Sequence, residues 1–248
     1  MVNVYSSLGF ATIRKPVFRR TTIILLALVL TFGLLFPITS SAHDVSKRDA
    51  SFVKSTQGTA IAPFLYLGAK HMVTGYDHLA FLVGVIFFLY RLKDIVLYVS
   101  LFTLGHSITL LAGVLGGIHA NSNVVDAIIG FSVVYKAFDN MDGFKQFLGF
   151  EPNTKLAVLI FGLFHGFGLA TKLQQLALSK NGLITNIVSF NVGVEIGQVL
   201  ALTAVLIALS FWRTRSGFLR HAFVTNAALM AVGFVLTGYQ IAGYYFGS

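Results

Sequence analysis

The chain has 248 residues, of which 56% are hydrophobic and 11% charged, with a mean hydropathy of +0.79. Soluble domains carry about 25% charged residues, so this composition excludes a water-soluble enzyme or binding module and indicates an integral membrane protein with one compact bundle. The net charge of +9 does not signal nucleic acid, because the basic residues sit in short clusters between apolar segments, and with no cysteine any metal must be held by His nitrogen and carboxylate or amide oxygen.

Residues 1–20 are polar and end in a basic patch, Arg14, Lys15, Arg19 and Arg20. Thr22–Ile38 is apolar and leads into Thr39-Ser40-Ser41-Ala42-His43, the layout of a secretory signal peptide cut after Ala42. The competing reading of residues 1–42 is an uncleaved first transmembrane helix. Residues 43–60 are polar and read as a short extracytoplasmic segment. From 61 to 248 the chain reads as a transmembrane helical domain, with apolar runs near the bilayer-spanning length of about 20 residues. These runs cover 61–90, 95–118, 124–140, 155–172, 183–211 and 222–246. The first is long for one span, and Gly68, Gly75 and the polar residues near them are expected to divide it into a lateral helix and a span. The expected fold class is all-α: a polytopic transmembrane bundle of six helices after signal cleavage, or seven with the N-terminal segment retained.

Charge sets the orientation. With residue 43 outside, twelve of the 18 Lys and Arg residues fall on the inner side, Lys136 among them at the inner end of its span. That satisfies the positive-inside rule and places the C-terminus outside a bacterial-type inner membrane. The 24 glycines, many of them within spans, suit close approach of helix backbones in lipid.

The polar residues within the spans carry the functional reading. His71 and His78 are seven apart, which on one helix sets them on the same face two turns removed, with Asp77 beside that face. A carboxylate in hydrocarbon is unfavourable unless paired, hydrated or bound to a cation. The plainer alternative for this stretch is a helix cap or an interfacial His/Asp pair. The second span brings His106, the third begins with Asp126, and the fourth has His165. The fifth carries Asn191, Glu195 and Gln198 at i, i+4 and i+7, a polar stripe on an otherwise apolar helix. Under the charge-based orientation, His71, Asp77, His78 and Asp126 fall in the outer part of the membrane, His106, Asn191 and Glu195 near its midplane, and His165 just outside it. Taken singly, His106 and His165 read as core histidines, and Asn191 and Gln198 as hydrogen-bonding links between helices. Taken jointly, their compatible depths point to a shared site. Four imidazoles with nearby carboxylates suit Zn, Ni, Co, Cu or Fe and are nitrogen-rich for Mg or Ca.

The runs HMVTGYDHLAFLVG, FTLGHSITLLAG, VDAIIGFSVVYKAFDN, FGLFHGFGLA and FNVGVEIGQ, in that order across about residues 60–210, resemble the HupE/UreJ group of hydrogenase- and urease-accessory membrane proteins. The resemblance implies nickel or cobalt handling, with the family's polar positions falling on His71, Asp77, His78, His106, His165, Asn191 and Glu195. Two departures mark a divergent second branch: Gly75-Tyr76 stands before Asp77-His78 where a His-Pro-x-Asp-His motif is usual, and Asp126 stands where a Glu is usual. The expectation is a permease, not an enzyme, for a divalent transition metal (Ni, Co or Zn). His71, Asp77, His78, His106, His165 and Glu195 are its expected metal-binding residues, supported by Asp126, Asn191 and Gln198. The expected partners are the lipid bilayer and the metal ion, with no nucleic acid. The alternatives are an intramembrane zinc hydrolase and a non-transporting accessory subunit.

Overall fold

The computed structural model describes residues 47–175 and 181–247; the expected signal segment and its cleavage point lie outside them. In chain order the described residues form α1 (Lys47–Ser55), α2 (Ile61–Thr74), α3 (Tyr76–Ile86), α4 (Leu92–Gly116) and α5 (Ser122–Asn140). A single π-helical turn (Phe144–Leu148) follows, then α6 (Thr154–Gln175), α7 (Leu183–Arg213) and α8 (Phe218–Phe246). No strand occurs among the described residues, so the fold is the expected all-α bundle.

Four helices, α4, α6, α7 and α8, are each long and apolar enough to cross a bilayer. The other two expected crossings are different in kind. α5 is 19 residues long but carries Asp126, Lys136 and Asp139. The run expected over 61–90 is two half-length helices, α2 and α3, broken at Gly75 and not at Gly68. Gly68 stays helical, because its function is contact. A Cβ there would collide with the Phe190 carbonyl, just as one on Gly193 would collide with the Leu65 carbonyl. These two glycines let α2 and α7 run parallel with their backbones touching.

The same device joins the other close pairs. Gly105 on α4 faces Leu159 and Leu163 of α6, and Gly166 of α6 faces the His106 carbonyl, so α4 and α6 are also parallel. Gly130 meets Thr237 while Gly233 meets Val134, which sets α5 and α8 antiparallel. These directions agree with the alternating passes inferred from sequence. Side chains such as Leu92, Val199 and Phe211 stay largely exposed on the outside, as a lipid-facing surface requires.

The half-helices are held at both ends. Arg213, at the end of α7, donates from Nη2 to the carbonyls of Ile86 (2.5 Å) and Phe87 (2.8 Å), closing the C-terminus of α3. Its guanidinium also lies 4.6 Å from the Tyr90 ring centre. At the other end, the Asn186 side chain of α7 accepts from the Ala60 N–H at 2.7 Å, just before α2 begins. Nearer the break, Lys70 Nζ ties α2 to Asp49 Oδ2 of α1 at 2.7 Å.

Candidate functional site

Gly75 decides the geometry. Two turns of one continuous helix would separate His71 and His78 by about 10 Å. Instead Gly75 is extended (φ −74°, ψ 102°), its N–H donating to the His71 carbonyl at 2.9 Å. The chain bends there, and the two rings meet edge to face with their centres 5.1 Å apart. A Cβ on residue 75 would stand 2.8 Å from His78 Nδ1 and 3.3 Å from Asp77 Oδ1, so the seat of His78 requires glycine at the break.

His78 is the centre of the cluster and is fully buried. Besides His71, its ring lies 4.9 Å from His165 and 6.2 Å from His106, centre to centre. Four imidazoles thus come from four helices: His71 from α2, His78 from α3, His106 from α4 and His165 from α6. Asp77 Oδ1 accepts from both the His78 backbone N–H (2.9 Å) and His78 Nδ1 (3.1 Å). His165 Nδ1 donates to the Phe161 carbonyl at 2.8 Å. Carboxylates and carbonyls only accept, so both rings carry a proton on Nδ1, which turns Nε2 to the far side of each ring. His165 Nε2 and both ring nitrogens of His106 are buried without a hydrogen-bond partner. Buried imidazole nitrogens normally find one; neutral His106 offers one N–H and one lone pair, and His165 a lone pair at Nε2. Among the described residues, no three His, Asp or Glu side chains converge closely enough to enclose a metal ion; the rings are grouped around His78 instead.

The remaining predicted residues divide. Asp126 takes an ion pair from Lys172 Nζ at 2.7 Å, and Lys172 lies within electrostatic reach of His71. Asn191 donates from Nδ2 to Ser107 Oγ (2.9 Å), beside His106. Gln198 Oε1 accepts from Thr103 Oγ1 (2.7 Å), one turn earlier on α4. Glu195 is not brought to the histidines. It is exposed, on a face with Val192, Ile196 and Val199. The expected stripe is therefore split, because Glu195 and Gln198 are about 60° apart around the helix. The Asn191–Gln198 edge packs on α4, and Glu195 falls past the contact.

Sequence reasoning missed three kinds of residue. Lys172 reads from sequence as a basic residue on the outer side, yet its i+7 spacing from His165 places both on one face of α6. Ser107 and Thr103 carry no separate signal in the sequence. Phe81, Phe102 and Phe161 are indistinguishable there from other apolar span residues, yet they floor the cluster. Phe81 lies 5.4 Å from both Phe102 and His165 and 5.8 Å from Phe161, and Phe102 lies 5.0 Å from His165.

A family model described as HupE / UreJ protein matches residues 47–248. No curated protein and no solved structure matches the chain. The match begins at α1 and runs through α8, so that the glycine break and all four clustered histidines lie within it: the chain belongs to the HupE/UreJ family of membrane proteins.

Proposed function

We propose that the protein is a permease for a divalent transition-metal cation, nickel or cobalt by family resemblance, and that the cation passes through the His78 cluster. The observation that carries this reading is the break at Gly75, which points the ends of two half-helices, with His71 and His78, into the interior of the bundle beside His106 and His165. Discontinuous helices meeting inside a membrane bundle are the usual way for transporters to build a substrate site.

In this reading Asp77 holds His78 with Nε2 facing the cation and supplies negative charge beside it. His71, His106 and His165 offer further nitrogen donors, and Asn191 an amide oxygen. Asp126, neutralised by Lys172, stands at the approach to the cluster and can exchange that ammonium for an incoming cation. Phe81, Phe102 and Phe161 exclude water below it, so passage requires those rings to move. Grouping around one ring, not one point, suits a cation that is handed on. Residues 1–42 serve as an export signal or anchor in this scheme, the membrane is the bacterial inner membrane, and the C-terminus is extracytoplasmic.

The test is uptake of labelled nickel and cobalt into vesicles containing the full-length protein, paired with elemental analysis of the purified chain. Uptake above empty vesicles is expected. Stoichiometric, tightly held zinc without uptake would instead mark an intramembrane zinc hydrolase, and neither metal nor uptake would mark an accessory subunit. A reporter fused at Gly247 is expected to be active outside; cytoplasmic activity would reverse the orientation.

A further inference from the structure

A second polar group lies in the same bundle, at the far side of the aromatic floor. Lys136, on α5, is 4% exposed, and its ammonium donates to Asp139 Oδ2 at 2.7 Å and Asn140 Oδ1 at 2.8 Å. Asp139 Oδ2 also accepts from Thr154 Oγ1 of α6 at 3.4 Å. Asn140 Nδ2 donates to the Gly84 carbonyl of α3 (2.8 Å) and to Asn226 Oδ1 of α8 (2.9 Å). With both its protons committed, the Asn140 amide can only turn its oxygen toward Lys136. Asn226 is fixed in turn by donating to the Ala222 carbonyl at 2.9 Å. Gly84 leaves room for the lysine stem, since a Cβ there would stand 3.2 Å from Lys136 Cγ.

Stability alone is weak grounds for this arrangement. A buried ion pair is commonly replaceable by apolar residues without loss, because desolvation offsets its attraction. What the network does make is a set of preoriented oxygens around a monovalent cation. That is the composition of a cation site, and the ammonium is its occupant. Its position relative to the histidines is also informative. Gly84, which binds Asn140, is six residues beyond His78 on α3, about 9 Å along the helix. Between them lies a file of ring contacts, His165 to Phe81, Phe81 to Phe161, and Phe161 to Tyr135 at 5.2 Å, the residue before Lys136. The Asp139 side chain is 14% exposed where the Lys136 side chain is 4%, so the carboxylate is the more open side of the pair.

We propose that Asp139 and Asn140 form a second, oxygen-donor station for the divalent cation, which the Lys136 ammonium occupies until the cation displaces it. This rests on the permease reading above and adds the release side of it. Oxygen donors bind nickel or cobalt less tightly than imidazoles do, so a cation leaving the histidines meets a weaker site. Its greater charge expels the ammonium by repulsion, and the return of Lys136 clears the cation and opposes its re-entry.

The experiment uses the full chain, with nickel ion as probe, and measures equilibrium binding in detergent and uptake into vesicles. Lys136→Met removes the ammonium while keeping the bulk of the stem. It is expected to bind an additional, weaker equivalent of nickel and to lose uptake, because the cation is no longer cleared from Asp139. Unchanged nickel stoichiometry together with unchanged uptake would overturn the station. The double variant Lys136→Met/Asp139→Asn, neutral throughout, guards against misfolding of the single one. It should bind nickel as the wild type does yet lose uptake, and wild-type uptake by the double variant would reduce the network to a link between helices. Absence of uptake by the wild type would overturn the permease reading alone, since the additional binding equivalent in Lys136→Met still decides whether the station takes a divalent cation.

Discussion

Around His78, four imidazoles from four helices meet with few hydrogen bonds between them, and His106 has no partner on either ring nitrogen. Around Lys136, one ammonium, one carboxylate and two amides are joined by hydrogen bonds of 2.7 to 2.9 Å. Both groups sit in an apolar bundle, and unsatisfied polar atoms are unfavourable in either place. The difference lies in the donor atoms. The first group offers imidazole nitrogens grouped around His78; the second offers oxygens that hold an ammonium. In the proposed reading, nitrogen donors suit capture of a transition metal, and an oxygen cage holding its own ammonium suits release.

The largest effect should come from striking the first group at its centre. His78→Ala is expected to reduce nickel binding beyond the 10–100-fold loss, roughly, that is typical of supporting residues, while the protein stays folded. Asp77→Asn should fall within that supporting range, because Asp77 contacts the His78 ring and orients it. Titration of both purified variants with nickel checks the order; equal, small losses would return the pair to a capping role.

Next comes the support of the cluster. A Cβ on Gly166 would collide with the His106 carbonyl and the Thr109 hydroxyl. Gly166→Ala must therefore part α4 and α6, with a destabilisation of about 1–3 kcal/mol and displacement of both histidines. Gly116→Ala, where the nearest atom is Ile118 Cγ1 at 3.4 Å, is expected to unfold at the wild-type temperature. Matching thermal transitions for the two variants would contradict the close packing.

A smaller effect sharpens the boundary of the site. Glu195→Gln should keep full uptake and equal or greater thermal stability, since the side chain is exposed and faces away from the cluster. Loss of uptake in a folded variant would bring Glu195 back into the cation path.

The smallest effect lies outside the membrane, in the turn after α5. Lys145 Nζ and Glu151 Oε1 pair at 2.6 Å in full solvent. The hydrogen bond, and then the charge, of Lys145 lowers the Glu151 pKa, and the same bond raises that of Lys145. The carboxylate's contribution is present above its unfolded pKa and fades as pH falls through the folded one. The ammonium's is present below its unfolded pKa and fades as pH rises through its folded one. An exposed pair of this kind contributes little, so Glu151→Gln should leave the melting temperature unchanged at neutral pH. A clear drop would show that this turn bears on the bundle.

The sequence by itself determined the all-α class and the membrane setting. Long apolar runs admit few alternatives in lipid, and four histidines spread over three of them are rare enough to be read jointly. Its polar stripe on α7 was legible as spacing but not as direction. Lipid and the bundle interior are both apolar, so hydrophobic periodicity does not mark which face of a helix turns inward. Only the tertiary structure decided that Asn191 and Gln198 face α4 while Glu195 does not. It likewise decided which glycine breaks the chain. Gly68 and Gly75 are alike in sequence, but Gly68 is held helical by the backbone of α7 against it, and Gly75 is extended because His78 needs its space. The partners of Lys136 and Lys172 were hidden for the same reason. Lys172 finds Asp126 across 46 positions of sequence. Lys136, counted from sequence as a basic residue at the membrane edge, is enclosed by helices α3, α6 and α8, whose approach depends on the glycines that pack them.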